Sequence, residues 1–249
     1  MPKRGPHREG PRDFVRHNVG NGLLFTGSGE YVRIDGVRRV SPISGKVEGP
    51  YCMYEGGFQN IFFHGEGVLT QISAGVPTIF KGMFRYNQLT CPDGVVTCNN
   101  PVKHFGFVYK GPLLNKLKHG DNGKIVYDDG STHDGGWKDD KYHGPGISTF
   151  VGSTGHRLPT GLGELGDDMT TSPPVKYNGG WNNGKVHGGG LLEFRDGDRY
   201  FGYWADGVPY NGNIPGQKLK GICLYQRADG TSFRVIWGKG GKHPVLDLD

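Results

Sequence analysis

The 249-residue chain holds 46 glycines and only 34% apolar residues, which excludes a thick aliphatic core, and its glycines follow no three-residue period, which excludes collagen. Its net charge of +5 is spread along the chain and gives mild attraction to acidic partners without singling one out. Aromatic residues make up 12%, too many for a disordered linker, so a regular fold must bury them.

Residues 1–22 carry Lys3, Arg4, Arg8, Arg12 and Arg16 against Glu9 and Asp13, among prolines and glycines that deter regular structure. They are expected to form a basic extended arm, either a solvated tail or a docking segment for an acidic surface such as tubulin tails, phosphoinositide headgroups or RNA. Residues 23–249 read as a repeat array of about seven units, several degenerate. A clear copy runs Tyr54, Gly56, Phe58, Ile61, His64, Gly65, Gly67. A weak one, Phe80, Gly82, Phe84, has Thr90 and Cys91 where the His-Gly step belongs. The next runs Tyr109, Gly111, Leu113, His119, Gly120, with Lys116 at a glycine position and an extra residue at Asn122. These two units are expected to be irregular. A second good copy runs His133, Gly135, Trp137, Asp140, His143, Gly144, Gly146.

Residues 151–174 are small, polar and rich in Pro and Gly, and are expected to be an inserted loop available to a partner. The clearest copy follows: Tyr177, Gly179, Trp181, Gly184, His187, Gly188, Gly190. Then come Tyr200, Gly202, Trp204, Gly207, Tyr210, a second candidate contact segment at 209–221 with Lys218 and Lys220, and a last copy at Phe233, Trp237, Gly240, His243. Start-to-start spacings of 23 to 29 residues mark the unit, and spacings of 33 and 44 mark insertions.

In a strand, positions two apart share a face, so Tyr177, Gly179 and Trp181 point one way. The glycine between two rings is expected to leave room for rings of neighbouring strands to lean in. Short apolar runs ending in Asp129-Gly130, Asp196-Gly197 and Asp229-Gly230, with Asp93-Gly94 and Asp35-Gly36 as distant echoes, signal type I′ hairpins. The fold class is therefore all-β: an elongated, twisted antiparallel sheet of tandem hairpins, solenoid-like, stabilised by each unit stacking on the next.

The run from Tyr177 to Gly190 resembles the MORN (membrane occupation and recognition nexus) repeat. The resemblance covers roughly residues 50–243. It implies a β-sheet array used for protein and membrane-proximal scaffolding in cilia, flagella, cytoskeletal collars and membrane junctions. Some family members fuse such arrays to a lipid kinase or a methyltransferase domain; nothing outside the repeats here is long enough for either.

Other candidate chemistry is thin. His64, His119, His143, His187 and His243 recur at one offset, but successive units set them about 9–10 Å apart, too far to share a zinc. They are expected to pack and hydrogen-bond at the turns. Cys91 and Cys98 flank Pro92-Asp93-Gly94 and could face each other across a hairpin, yet free thiols fit better with four cysteines lacking a CxxC pair. No nucleophile-base pair or phosphate loop is legible, so no cofactor, metal or catalysis is expected. A reducing intracellular compartment is expected, with no apolar run long enough to cross a membrane. The expected function is a non-enzymatic scaffold subunit of a cytoskeletal or axonemal assembly that binds proteins along its sheet and edges. The alternatives are a peripheral adaptor on anionic lipid and a small ribonucleoprotein subunit, although a nucleic-acid partner is not favoured.

Overall fold

A computed structural model describes residues 10–34, 37–100, 105–151, 172–211, 223–237 and 245–247. The described residues form strands and turns with no helix among them, and the strands pair antiparallel in hairpin order. The chain divides into two compact units, Met1–Leu117 and Lys118–Asp249. Unit 1 contains β1 (Arg12–Gly20), β2 (Leu23–Ile34), β3 (Val37–Glu48), β4 (Cys52–Gln59), β5 (Phe62–Ser73), β6 (Val76–Arg85), β7 (Gln88–Leu89), β8 (Cys91–Asn100) and β9 (Phe105–Leu114). The short β10 (Leu117–Lys118) falls at the boundary. Unit 2 contains β11 (Gly120–Tyr127), β12 (Thr132–Lys138), β13 (Lys141–Thr149), β14 (Pro174–Asn182), β15 (Lys185–Phe194), β16 (Arg199–Ala205), β17 (Val208–Tyr210), β18 (Cys223–Gln226), β19 (Ser232–Ile236) and β20 (Val245–Asp247).

Each unit is organised on a row of glycines that face one another across strands. In unit 1, Gly27 pairs with Gly45, Gly45 with Gly56, Gly56 with Gly67, Gly67 with Gly82, and Gly94 with Gly111. In unit 2, Gly123 pairs with Gly135, then Gly146, Gly179, Gly190 and Gly202 follow in turn. The reason is steric. Tyr177 lies along its own strand over this row, so a Cβ on Gly179 would sit 2.4 Å from its hydroxyl oxygen and one on Gly190 would sit 2.6 Å from its ring. Tyr54 covers Gly56 and Gly67 in the same way. The glycine at this offset thus admits the tyrosine of its own repeat, whereas the sequence suggested rings leaning in from neighbours. The covering tyrosine then donates its hydroxyl to the carbonyl three residues on: Tyr54 to Gly57 at 3.0 Å, Tyr109 to Pro112 at 2.9 Å and Tyr177 to Gly180 at 3.1 Å.

Most of the large rings of each unit are buried on the face that carries its glycine row. Tyr54, Phe84, Leu89 and Tyr109 are buried in unit 1, as are Trp137, Tyr177, Trp181, Tyr200 and Trp204 in unit 2. Neighbours meet edge to face: Tyr177 is 5.1 Å from Trp181 and 5.3 Å from Trp204, near perpendicular to both. Such pairs add about 0.5–1.5 kcal/mol each beyond their burial.

The two kinds of turn divide the work differently from the expectation. Paired positive φ, the mark of a type I′ turn, occurs at Asn60-Ile61, Tyr86-Asn87, Asn115-Lys116, Asp139-Asp140, Asn183-Gly184 and Asp206-Gly207. Asp206-Gly207 is such a turn, but the Asp-Gly pairs at 129–130, 196–197 and 229–230 are not of this kind. At Gly130, Gly197 and Gly230 only the glycine has positive φ. There the Asp129, Asp196 and Asp229 side chains accept the backbone N–H two residues on, at 2.8, 3.1 and 2.8 Å, and the glycine N–H closes a turn onto Tyr127, Phe194 and Arg227. An Asp before glycine suits this Asx-stabilised turn equally well. Asp93-Gly94 lies inside β8 at a register shift, and Asp35-Gly36 lies outside the described residues.

Two further expectations change. Residues 12–20, read as part of an arm, form β1, because Phe14 is buried against Phe25 and Tyr31 and supplies the apolar anchor a strand needs. Residues 1–9, with Lys3, Arg4 and Arg8, lie outside the described residues, as do 152–171 of the inserted loop and 212–221 of the second contact segment. Cys91 and Cys98 stand on one strand, β8, so they do not face each other across a hairpin; Cys52, Cys91, Cys98 and Cys223 are free thiols.

Candidate binding surfaces

The template residues build contacts between consecutive hairpins. In five of these turns the second residue donates its N–H to a carbonyl of the preceding hairpin: Asn87 to Phe63, Lys116 to Leu89, Asp140 to Lys118, Gly184 to Tyr142 and Gly207 to Val186. Where that residue is Asn or Asp, its side chain also accepts in return, Asn87 from Phe63 at 2.7 Å and Asp140 from Lys118 at 3.0 Å. The recurring histidine stands beside the first turn residue. His187 Nδ1 is 3.2 Å from both the backbone N and Oδ1 of Asp206, and His119 Nδ1 is 3.2 Å from Asp139 Oδ1. His64 packs edge-on to Tyr86 at 5.3 Å. In the degenerate unit Thr90 takes the histidine's place, and its Oγ1 accepts the Asn115 N–H at 3.2 Å. The glycines after these histidines, Gly65, Gly144 and Gly188, have φ of 79°, 77° and 74°, a region that favours glycine.

Burial shifts several of the groups held on the ring face. It raises the Tyr54 phenol to about 12, raises Tyr177 and Tyr200 further, and lowers His133, which occupies a tyrosine position, to about 4. His133 bonds to Ser148 at 2.8 Å and stacks on Tyr142 at 3.8 Å. Trp237 donates its indole N–H to the Tyr200 hydroxyl at 2.6 Å. Tyr54, Gly56, Phe58, His64, Gly65, Tyr109, Gly111, Gly135, Trp137, His143, Gly144, Tyr177, Gly179, Trp181, His187, Gly188, Tyr200, Gly202, Trp204 and Trp237 therefore all lie in hairpin cores, glycine rows or junctions.

The opposite face carries what remains for partners. In unit 2 the antiparallel register aligns Ile147, Asn178, Leu191, Phe201, Leu224 and Arg234 in one cross-strand row. Ile147, Phe201 and Leu224 are 40%, 42% and 38% exposed. A polar row flanks them, with Lys176 bonded to Glu193 at 2.9 Å and Arg199 opposite both Glu193 and Gln226. In unit 1 the matching row alternates charge with valine: Lys46, Glu55, Val68, Lys81, Val95, Lys110. Beside it a groove of about 630 Å³ runs over Gly56, Gly67 and Gly82, walled by Glu55, Lys81, Glu66, Met83 and Asp93. The sequence template missed both rows, because it records the residues that hold the hairpins and these alternate with them.

At the start of unit 1 the cations divide between faces. Arg12 and Arg38 stack over the Tyr31 ring at 5.2 and 3.8 Å, and Arg33 pairs across strands with Arg38. The Arg16 N–H bonds to Thr26 Oγ1, and its charge helps to hold the Glu48 carboxyl low, after the larger effect of the Lys46 hydrogen bond.

Antiparallel hairpins in series, with many of the recurrent side chains spent on contacts between them, define a tandem hairpin-repeat fold. A family model described as the MORN repeat matches residues 54–72, 133–154 and 177–199, and the chain carries MORN repeats at these three places. MORN repeats are in general non-catalytic and point to a scaffold or a protein- or membrane-binding role. No curated protein matches the chain at significant similarity. Among the described residues no helix is long and apolar enough to cross a membrane.

Proposed function

We propose that the protein is a non-enzymatic scaffold subunit of a larger intracellular assembly, cytoskeletal or axonemal, and that it binds protein partners through the solvent face of unit 2. The observation that carries the reading is the row Ile147, Leu191, Phe201, Leu224, apolar on a face where the hairpin core does not need it. Apolar side chains aligned in the open and rimmed by paired charges have the composition of a protein contact. Four free thiols fit a reducing compartment, and the cytoskeletal setting follows the resemblance to MORN scaffolds.

Proximity labelling with the native chain tests this, set against the double variant Phe201→Glu with Leu224→Glu. Cytoskeletal or ciliary neighbours should be recovered by the native chain and lost by the variant, with the fold intact because both side chains stand in solvent. Recovery of no such proteins, or an identical set from both chains, would count against the proposal.

A further inference from the structure

The exposed row of unit 2 is complementary to its own reverse. The strand register sets Asp134 on β12, Ile147 on β13, Asn178 on β14, Leu191 on β15, Phe201 on β16, Leu224 on β18 and Arg234 on β19 level with one another. Leu191 is the midpoint, with three strands to either side. A carboxylate closes the row at one end and a guanidinium at the other, and Asp134 and Arg234 are both exposed. One step inward from each end stands an aliphatic side chain, Ile147 or Leu224, 40% and 38% exposed. Lys124 approaches Asp134 only to 3.9 Å, with both side chains more than half exposed, too loose a pair to use up the carboxylate.

A two-fold axis running along β15 between two copies would lay this row on itself in reverse. Asp134 then faces Arg234 of the second copy, Ile147 faces Leu224, Asn178 faces Phe201, and Leu191 meets its twin on the axis. Such a contact is isologous, so every pairing is made twice. The strands of the two copies stay nearly aligned, as in sheets that pack face to face about 10 Å apart. We propose that unit 2 forms a two-fold dimer with a second copy of this chain through this row. The inference rests on reading the row as a protein contact, and it names the protein.

The ends of the row favour a second copy over an unrelated partner, because each supplies the charge that the other needs. On one side of the row Gly180 and Gly189 have no side chains, and a Cβ on Gly189 would meet nothing nearer than Tyr203 at 3.5 Å, so a facing sheet has room to approach. On the other side Lys176, Glu193 and Arg199 run level across β14, β15 and β16. Reversal brings Lys176 against Arg199 of the second copy. Lys176 keeps its own Glu193 at 2.9 Å, and this strip makes a hydrated rim that weakens the dimer without changing its register.

Sedimentation velocity of the full chain over a concentration series tests the proposal. A monomer–dimer equilibrium is expected, and Phe201→Glu should weaken it at least about tenfold. Asp134→Arg and Arg234→Asp should each weaken it about five- to tenfold, since each sets like charges together at both ends. An equal mixture of these two variants should recover the native affinity, because opposite charges then meet at both ends, and the double variant carrying both substitutions should recover it too. Circular dichroism identifies any variant that fails to fold, and the charge exchanges carry the test if Phe201→Glu is one. Three results would overturn the dimer: a native chain monomeric at every concentration, a dimer that these substitutions leave unchanged, or a mixture that associates no better than either variant alone. A monomeric chain whose cytoskeletal neighbours are still lost by Phe201→Glu with Leu224→Glu would overturn the dimer and leave the partner contact standing; a dimer obeying the charge exchange but labelling no such neighbours would do the reverse.

Discussion

Units 1 and 2 share a backbone plan and differ in what fills it. At the tryptophan offset unit 2 has Trp137, Trp181, Trp204 and Trp237, whereas unit 1 has Phe58, Phe84 and Leu113. At the second turn position unit 2 has Asp140, Gly184 and Gly207, where unit 1 has Ile61, Asn87 and Lys116, all at positive φ. Each unit has a glycine row of its own. A hairpin of this kind therefore tolerates a smaller ring, or none, and a strained turn. What it keeps is the glycine, closed over by a tyrosine at Gly56, Gly67, Gly179, Gly190 and Gly202 and by backbone or other side chains at Gly27, Gly45, Gly82 and Gly94. The faces turned away from the cores differ too, unit 2 showing an apolar row and unit 1 a row of charges and valines, on residues the repeat leaves unconstrained.

The largest effect should come from the rings. All four tryptophans lie in unit 2, so tryptophan fluorescence follows that unit alone. Trp204→Ala should cost unit 2 about 3–5 kcal/mol in urea unfolding. Trp204→Leu, which copies Leu113 of unit 1, should cost clearly less; an equal loss would break the claim that the offset tolerates smaller side chains.

Acid should separate the units next. Burial lowers His133 to about 4 from an ordinary 6.5, so the unfolded chain binds this proton more readily than the folded one. The stability held by the neutral ring is full above about pH 6.5 and falls away as pH drops towards 4, by up to about 3 kcal/mol. Unit 1 has tyrosines, Tyr54 and Tyr109, at the equivalent positions, and burial raises the Tyr54 phenol to about 12, far above this window. Unfolding of unit 2 followed by fluorescence across that range should show the loss in the native chain and not in His133→Tyr, which restores the template residue. The same pH dependence in both chains would remove His133 as its source.

A smaller gain is expected in unit 1. Ile61 is a β-branched residue at φ 73°, largely exposed, and Ile61→Gly should relieve about 1 kcal/mol of backbone strain. A thermal melt should move upward; a fall would mean that Ile61 makes a contact worth more than its strain.

The strands and the ring face were legible in the sequence because each is tied to a fixed offset from a tyrosine and a glycine; of the recurring histidines, His119 and His187 bond at the turns as expected, whereas His64 and His143 bury Nδ1 without a hydrogen-bond partner and His243 lies outside the described residues. The same reading went wrong where one residue pair serves two turns: Asp-Gly suits both a type I′ turn and an Asx-stabilised turn, and only φ at the aspartate separates them. Thr90 was read as a lost histidine step, yet its hydroxyl accepts the bond the imidazole would make. Residues 23–48 carry no full copy of the template, so the extension of the glycine row to Gly27 and Gly45 was hidden, and β1 was hidden with it. Among the candidate partner residues, Arg12 and Arg16 were visible as charge. Their division between faces needed the strand register.

Gly179 and Gly190 lack a Cβ because Tyr177 occupies the space it would need. Gly190 and Gly189 are neighbours on β15 that separate this from a general preference for glycine. A Cβ on Gly190 would sit 2.6 Å from the Tyr177 ring, whereas one on Gly189 meets nothing nearer than Tyr203 at 3.5 Å. Urea unfolding followed by tryptophan fluorescence should show Gly190→Ala losing about 1–3 kcal/mol and Gly189→Ala staying within about 0.5 kcal/mol of the native chain. Equal effects at the two positions would contradict the account.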